Sequence, residues 1–457
     1  MNKQVLEPKY GLFTAISMVI GQVIGSGIFF KVDDILLSTS GNVLAGLFGF
    51  LIVGISVVFA SIAMSSYAQL MPTEGGILAY VRYRFGESAA ALVGWIYLSL
   101  FYPLLTAVLF TVSGIYISHL LAEIIDFTPT FAHYVLIGVC NAFLFLLLNI
   151  FRPRHSGIFQ QITTVLKLLP LILVAAIGVI TLIQGTAVGQ TFTEGTVKAA
   201  NTSPLWTAIT ASFIPIAFAF DGWYIATQIS GEVKNSSRNL PKALILGTTT
   251  VLIVYVLYYV GITSKLSASQ IITLKDNYIG EYASLVAGTG GKVLIQLFII
   301  ISVLGTSNGL LLASIRVPYQ FYNLPHARKF ASLGSINQLI QMPVRSAVFA
   351  FVIILIYFAL YYITSTVPFF TERNFDISAI PIAFIYMVNG GLFIGLLSLI
   401  KRRIITGNRF KTKGTVFVAI FGVAIVLTGT LFSANGIFYI LCSLVYVVVG
   451  LAMIKRN

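Results

Sequence analysis

Charge is what this sequence has least of. Only 9% of its 457 residues are Asp, Glu, Lys or Arg, against about 25% in a soluble domain, which excludes a water-soluble globule. Cysteine is nearly absent too. Cys140 and Cys442 stand in no CxxC or metal pattern and read as small apolar packing residues. The four histidines (His119, His133, His155 and His326) lack ligand spacing, so no metal is expected. There is no GxxxxGK[ST] loop and no dinucleotide fingerprint, so no cofactor is expected and nothing points to an enzyme. The N-terminal segment runs directly into a long apolar stretch, without a cleavable leader pattern.

What is present is apolar surface. Hydrophobic residues make up 58% of the chain, mean hydropathy is +0.95, and 39 glycines favour close helix packing. A spanning helix needs about 20 apolar residues, so the length accommodates about twelve. Membrane β-barrels alternate apolar and polar residues, whereas 251–260 is continuously apolar. The expected fold is an all-α polytopic membrane protein of twelve transmembrane helices. They fall near 11–37, 41–68, 87–119, 131–149, 157–185, 204–231, 241–263, 290–321, 343–362, 376–400, 414–432 and 434–453.

The net charge of +14 is explained by where it lies. With the N-terminus inside, only Lys31, Lys198, Lys265, Lys275, Lys292 and Arg373 fall outside. Lys167 lies within a span, and the other 21 of the 28 Lys and Arg are cytoplasmic. This is the positive-inside asymmetry. It predicts a multi-pass protein of the cell (cytoplasmic) membrane with both termini cytoplasmic, the lipid bilayer as its environment and no nucleic-acid partner. The basic run at 401–413 reads as a solvated cytoplasmic loop.

Two spans are irregular. The first carries Gly21-Gln22-Val23-Ile24-Gly25-Ser26-Gly27-Ile28-Phe29 at its middle, where small residues weaken the helix. The sixth carries Pro215 and then Phe218-Ala219-Phe220-Asp221-Gly222-Trp223. Matched interruptions in two halves point to a transporter substrate site. Each opens a block of five spans, 11–185 and 204–400, and an odd count reverses the second block. An inverted repeat is therefore expected, with 401–457 adding the basic loop and two further helices. A half-helix starting after Gly27 offers N–H groups to a carboxylate. Carbonyls near Val23 and Phe218–Ala219 suit an ammonium. Together they suit an amino acid zwitterion.

Two ionisable residues lie at depth, Lys167 and Asp221, and such residues are functional candidates by default. Lys167 has three readings: an ammonium that replaces a bound Na⁺ on exposed carbonyls, a proton carrier, or a structural, snorkelling lysine. Asp221 either caps the restarting half of span six or contacts substrate or ion. Phe218 is the aromatic expected to cover the substrate. Thr306, Ser307, Asn308 and Ser314 of span eight either line the same cavity or bond between helices.

Four motifs occur in order: Ile20-Gly21-x-x-Ile24-Gly25-Ser26-Gly27-Ile28-Phe29, Pro72-x-x-Gly75-Gly76, Phe218-Ala219-x-Asp221-Gly222-Trp223, and Glu232-x-x-Asn235-x-x-Arg238-Asn239-Leu240-Pro241. Together they resemble the L-type amino acid transporter family of the amino acid–polyamine–organocation superfamily, over residues 10 to 320. The resemblance implies the leucine-transporter fold, with helices 1 and 6 broken, and exchange of neutral L-amino acids by alternating access. It implies a substrate site of Val23, Gly25, Ser26, Gly27, Ile28, Phe218, Ala219, Phe220 and Asp221. Phe218 resembles the family's proximal gate, Lys167 its span-five lysine and Asn308 its span-eight polar position. Asp221 stands where animal members have glycine and bacterial relatives often carry aspartate. Animal members bond to a glycoprotein through a cysteine after span three; 120–131 contains none, so no disulfide-linked heavy subunit is expected. The expectation is a sodium-independent exchanger of small to medium neutral L-amino acids. A proton-coupled symporter using Lys167 is the alternative, and a non-transporting sensor is a more distant one.

Overall fold

A computed structural model describes residues 10–25, 27–71, 76–125, 127–184, 204–321, 333–335, 337, 342–405, 409–433 and 435–455. Among them, structure is helical apart from turns and two isolated bridges, Tyr10 with Val233 and Asn337 with Met342. Among the described residues, eleven helices are long and apolar enough to cross a membrane. The remaining span, the sixth, is broken, so its apolar helical part, Leu205–Ala219, falls short of a full crossing. The twelve-helix polytopic fold expected from hydropathy is the one observed.

The first and sixth spans break where their sequences predict. Helix Leu12–Val23 ends as Ile24 turns to extended backbone (φ −71°, ψ 90°), and helix resumes for one turn over Gly27–Phe30. A bend at Lys31 leads into Val32–Ser38. Span six runs Leu205–Ala211, turns at Ser212 and continues as Phe213–Ala219. Pro215 has no N–H for the carbonyl of Ala211, which accounts for the turn. Residues 220–224 then leave the helix, with Gly222 at φ +96°, a conformation open to glycine at no steric cost. The chain re-forms as a 3₁₀ helix over Ile225–Glu232.

Three further irregularities were not expected. Span three contains a π turn at Tyr97–Phe101. Span five divides at Lys167 into Pro153–Leu166 and Leu168–Gln184, because Pro170 cannot donate to the Leu166 carbonyl. Before span eight, helix Ala268–Leu274 is followed by Tyr278–Phe321, bent at Ala287 and Gly288 (φ +66°).

Helix packing uses the glycines. A Cβ on Gly138 of span four would lie 2.8 Å from the Phe110 carbonyl oxygen of span three, and one on Gly178 of span five 2.5 Å from the Leu257 oxygen of span seven. Lipid tails are as apolar as leucine, so close backbone approach and interhelical hydrogen bonds carry the packing. Peripheral side chains such as Leu136, Leu144, Val445 and Val448 project outward and are largely exposed.

Candidate functional site

The two helix breaks meet. A Cβ placed on Gly27 would lie 2.9 Å from the Ala219 Cα, so one break passes directly over the other. Between them is a cavity of about 50 Å³. Gln22, Val23, Gly25 and Gly27 line it from span one, and Phe218, Ala219, Asp221, Gly222 and Ile225 from span six. Leu105 and Leu109 of span three and Thr306 and Leu310 of span eight complete it. A water occupies about 10–15 Å³ on this scale, so the space corresponds to about three to five waters.

Of the residues expected at the site, Val23, Gly25, Gly27, Phe218, Ala219 and Asp221 lie on the cavity wall. Ile28 and Phe220 are buried outside it. Phe220 faces the opposite way, its ring 5.0 Å from that of Tyr255 and 6.5 Å from that of Phe50. Ser26 and 72–75 lie outside the described residues.

The carbonyl ends of both breaks are held by one side chain that the sequence reading did not single out. Tyr255 of span seven donates its hydroxyl to the Val23 oxygen (3.0 Å) and the Ala219 oxygen (3.1 Å). These are last-turn carbonyls without an intrahelical partner. On the other side of the break, Tyr116 (3.0 Å) and Tyr278 (2.7 Å) both donate to the Phe29 oxygen. Three tyrosines from spans three, seven and the start of eight thus fix a segment with little helix of its own.

Lys167 sits at the joint of span five, buried, and its Nζ donates to the Gly21 oxygen. Among the described residues it forms no ion pair with Asp221. Asp221 accepts from the Tyr224 hydroxyl at 3.1 Å. The 3₁₀ segment that follows begins after Tyr224 without a side-chain cap, so the Asp221 carboxylate faces the cavity region without serving as that cap. Asn308 lies off the cavity wall in a buried network. Its Oδ1 accepts from Asn149 Nδ2 (2.8 Å), and its Nδ2 donates to the Ser156 hydroxyl (3.0 Å). This ties spans four, five and eight together. Ser314 pairs with Thr106 at 3.1 Å.

On the membrane face opposite the N-terminus, Phe218 is covered by a cation. Lys31 Nζ lies 5.1 Å from the Phe218 ring centre and 5.0 Å from that of Phe30, and the two rings meet edge-to-face at 5.5 Å. Lys31 is only 3% exposed, so it needs anionic partners. It donates to Asp34 (2.7 Å) and to Asp376 (2.8 Å), the latter just before span ten. Burial alone would lower the Lys31 ammonium, but the two carboxylates outweigh it and hold it well above its ordinary value. Burial likewise works against Asp376, and Lys31 with the Ser378 hydroxyl and N–H brings it below the usual carboxylate range. Neighbouring Asp33 is pushed well up, by burial first and then by Asp34 and Asp276.

Two broken helices crossing at a small cavity, inside a twelve-helix membrane protein, define a secondary transporter. A family model described as amino acid permease matches residues 10–454, and the chain belongs to that family. It is 29% identical over 334 residues to the serine/threonine exchanger SteT of Bacillus subtilis, covering 71% of each chain. It is also 26% identical to the Asc-type amino acid transporter 1 of Mus musculus, over 75% of this chain and 63% of that one. To the mouse b(0,+)-type amino acid transporter 1 it is 25% identical, over 80% and 73%.

Proposed function

We propose that this protein is a sodium-independent exchanger of small to medium neutral L-amino acids. It works by alternating access in the cytoplasmic membrane, with both termini inside and without a disulfide-linked heavy subunit. The observation that carries the reading is the Lys167 ammonium on the Gly21 carbonyl. A fixed cation at a helix break satisfies carbonyl groups that would otherwise recruit a dissolved one, so no sodium is needed to complete the site. The name of one relative, the serine/threonine exchanger SteT, supports exchange.

In this mechanism the substrate carboxylate rests against backbone N–H groups at the start of the Gly27–Phe30 turn. The substrate ammonium meets the carbonyl ends around Val23 and Ala219, each with lone pairs beyond the one Tyr255 uses. Phe218 closes over it. Lys31, Asp34 and Asp376 form an outer latch across spans one and ten that must part before substrate enters from outside. The inverted halves 11–185 and 204–400 supply the rocking bundle and its scaffold, and 401–457 adds the basic loop and last two helices. Asp221, half-buried on the cavity wall, favours substrates with a hydroxyl or other short donor.

The test is uptake of radiolabelled alanine, serine and leucine into proteoliposomes, with and without internal amino acid. Uptake only into loaded vesicles, indifferent to sodium and to a pH gradient, and abolished by Lys167→Ala, is expected. Concentrative uptake into empty vesicles under an inward proton gradient would overturn exchange and make Lys167 the proton carrier of a symporter.

A further inference from the structure

On the membrane face that carries Lys31, a second concavity of about 290 Å³ opens between the turn before span ten and the start of span twelve. Its walls are Phe369, Phe370, Phe375, Ile437, Phe438 and Leu441, with Arg373 and Asn435 at the polar end. Asn435 donates to the Arg373 oxygen at 2.8 Å and so joins the two segments. Arg373 lies 4.2 Å from the Phe369 ring centre, and its Nη1 donates to the Phe369 oxygen at 2.7 Å. Among the described residues, no carboxylate pairs with it. A guanidinium carries five donors in a fork suited to phosphate oxygens. From that end the apolar wall runs into the exposed stripe Ile437, Leu441, Leu444 and Val448 of span twelve, at spacings of one helix face.

We propose that this groove binds one anionic phospholipid of the surrounding leaflet, its phosphate on Arg373 and an acyl chain along Ile437 and Leu441. Charge selects the occupant: a single unpaired guanidinium at the head of an aromatic slot favours an anionic amphiphile, and the bilayer supplies one at that depth. The position gives the lipid a route to the transport site. Phe375, on the groove wall, lies 5.3 Å from the Tyr439 ring, whose hydroxyl accepts from the Asp376 N–H at 3.0 Å. Asp376 holds Lys31, and Lys31 covers Phe218.

The experiment reconstitutes the full chain in nanodiscs of phosphatidylcholine with increasing phosphatidylglycerol and counts retained phosphatidylglycerol by native mass spectrometry. Wild type, Arg373→Gln and Lys265→Gln are compared; Lys265 is an exposed cation on the same face, away from the groove. One interfacial cation contributes about 1 kcal/mol to anionic-lipid binding. Arg373→Gln is therefore expected to need about fivefold more phosphatidylglycerol for half retention, while Lys265→Gln matches wild type. Equal retention by all three proteins would overturn the proposal, and so would an equal loss in both variants, which would mean diffuse surface charge. This readout does not depend on transport, so it stands apart from the exchanger reading.

Discussion

Removing one charge from the outer latch separates an electrostatic closure from simple packing. In Asp376→Asn the residue keeps its shape, and among the described residues Lys31 is left with Asp34 as its only ion-pair partner. A hydrogen bond to a charged group contributes about 1.5–3 kcal/mol. The Asp376 side chain is 31% exposed and Asp34 remains, so the lower figure, ~1.5 kcal/mol, applies. At about 1.4 kcal/mol per factor of ten, the outward-open population should rise roughly tenfold. Both partners are held in their charged forms, Lys31 well above its ordinary value and Asp376 below the usual carboxylate range, so the comparison at neutral pH is one of charge against no charge. The assay is labelling of Leu109→Cys, on the cavity wall, in a Cys140→Ser, Cys442→Ser background. A membrane-impermeant thiol reagent is added from outside. A tenfold faster reaction in Asp376→Asn is expected. A labelling rate equal to that of the parent, in protein that still exchanges amino acids, would refute the latch.

Gly25→Ala sets a Cβ 2.8 Å from the Thr306 methyl, overpacking that costs about 1–3 kcal/mol; exchange in loaded vesicles should collapse, and adding Thr306→Ala should recover part of it. Tyr255→Phe removes the only hydroxyl shared by the Val23 and Ala219 carbonyls; at ~1–2 kcal/mol, substrate affinity measured by competition should fall about 5- to 30-fold. Asp33 has its carboxyl pushed well up, and its buried Oδ1 lacks a hydrogen-bond partner among the described residues. Its folded form binds a proton more tightly than the unfolded one, so ionisation penalises folding. That penalty is absent below about pH 4 and complete once pH passes the raised value. Asp33→Asn should therefore raise thermal stability at pH 8 and leave it unchanged in acid; equal melting shifts at both would count against a buried, ionised Asp33.

How much of this was legible in the sequence depends on the range over which each feature is decided. The breaks at Gly25 and Gly222 are local: small residues and Pro215 weaken a helix wherever it stands, so the crossing point of spans one and six could be read directly. Phe218, Ala219 and Asp221 followed because they flank the break. Phe220 did not, since its direction depends on how residues 220–224 unwind, and the backbone turns its ring toward Phe50 and Tyr255. Tyr255 was invisible for another reason. It lies in a continuously apolar run, and its hydroxyl meets a carbonyl 232 residues away, so no local pattern distinguishes it from a packing tyrosine.

Lys31 is the sharper case. By charge counting it was one of six outer cations whose only role was to set topology. Its environment is instead decided by Asp376, 345 residues on, and by Phe218. The signal was nevertheless present in part: a lysine directly after a broken span, followed by Asp33 and Asp34, is too crowded with charge to face lipid and must find partners at a helix junction. Span five carried a similar hint in Pro170, three residues after Lys167, which marks the joint where the lysine can leave the helix and reach Gly21. In both places a buried cation stands beside an interruption. The helix end supplies the acceptors that make its burial tolerable at Gly21, and distant carboxylates do so at Lys31. A sequence reading that pairs each membrane-depth lysine with the nearest helix interruption would therefore have found Lys167's partner, but not Asp376, because only the tertiary fold brings span ten to the end of span one.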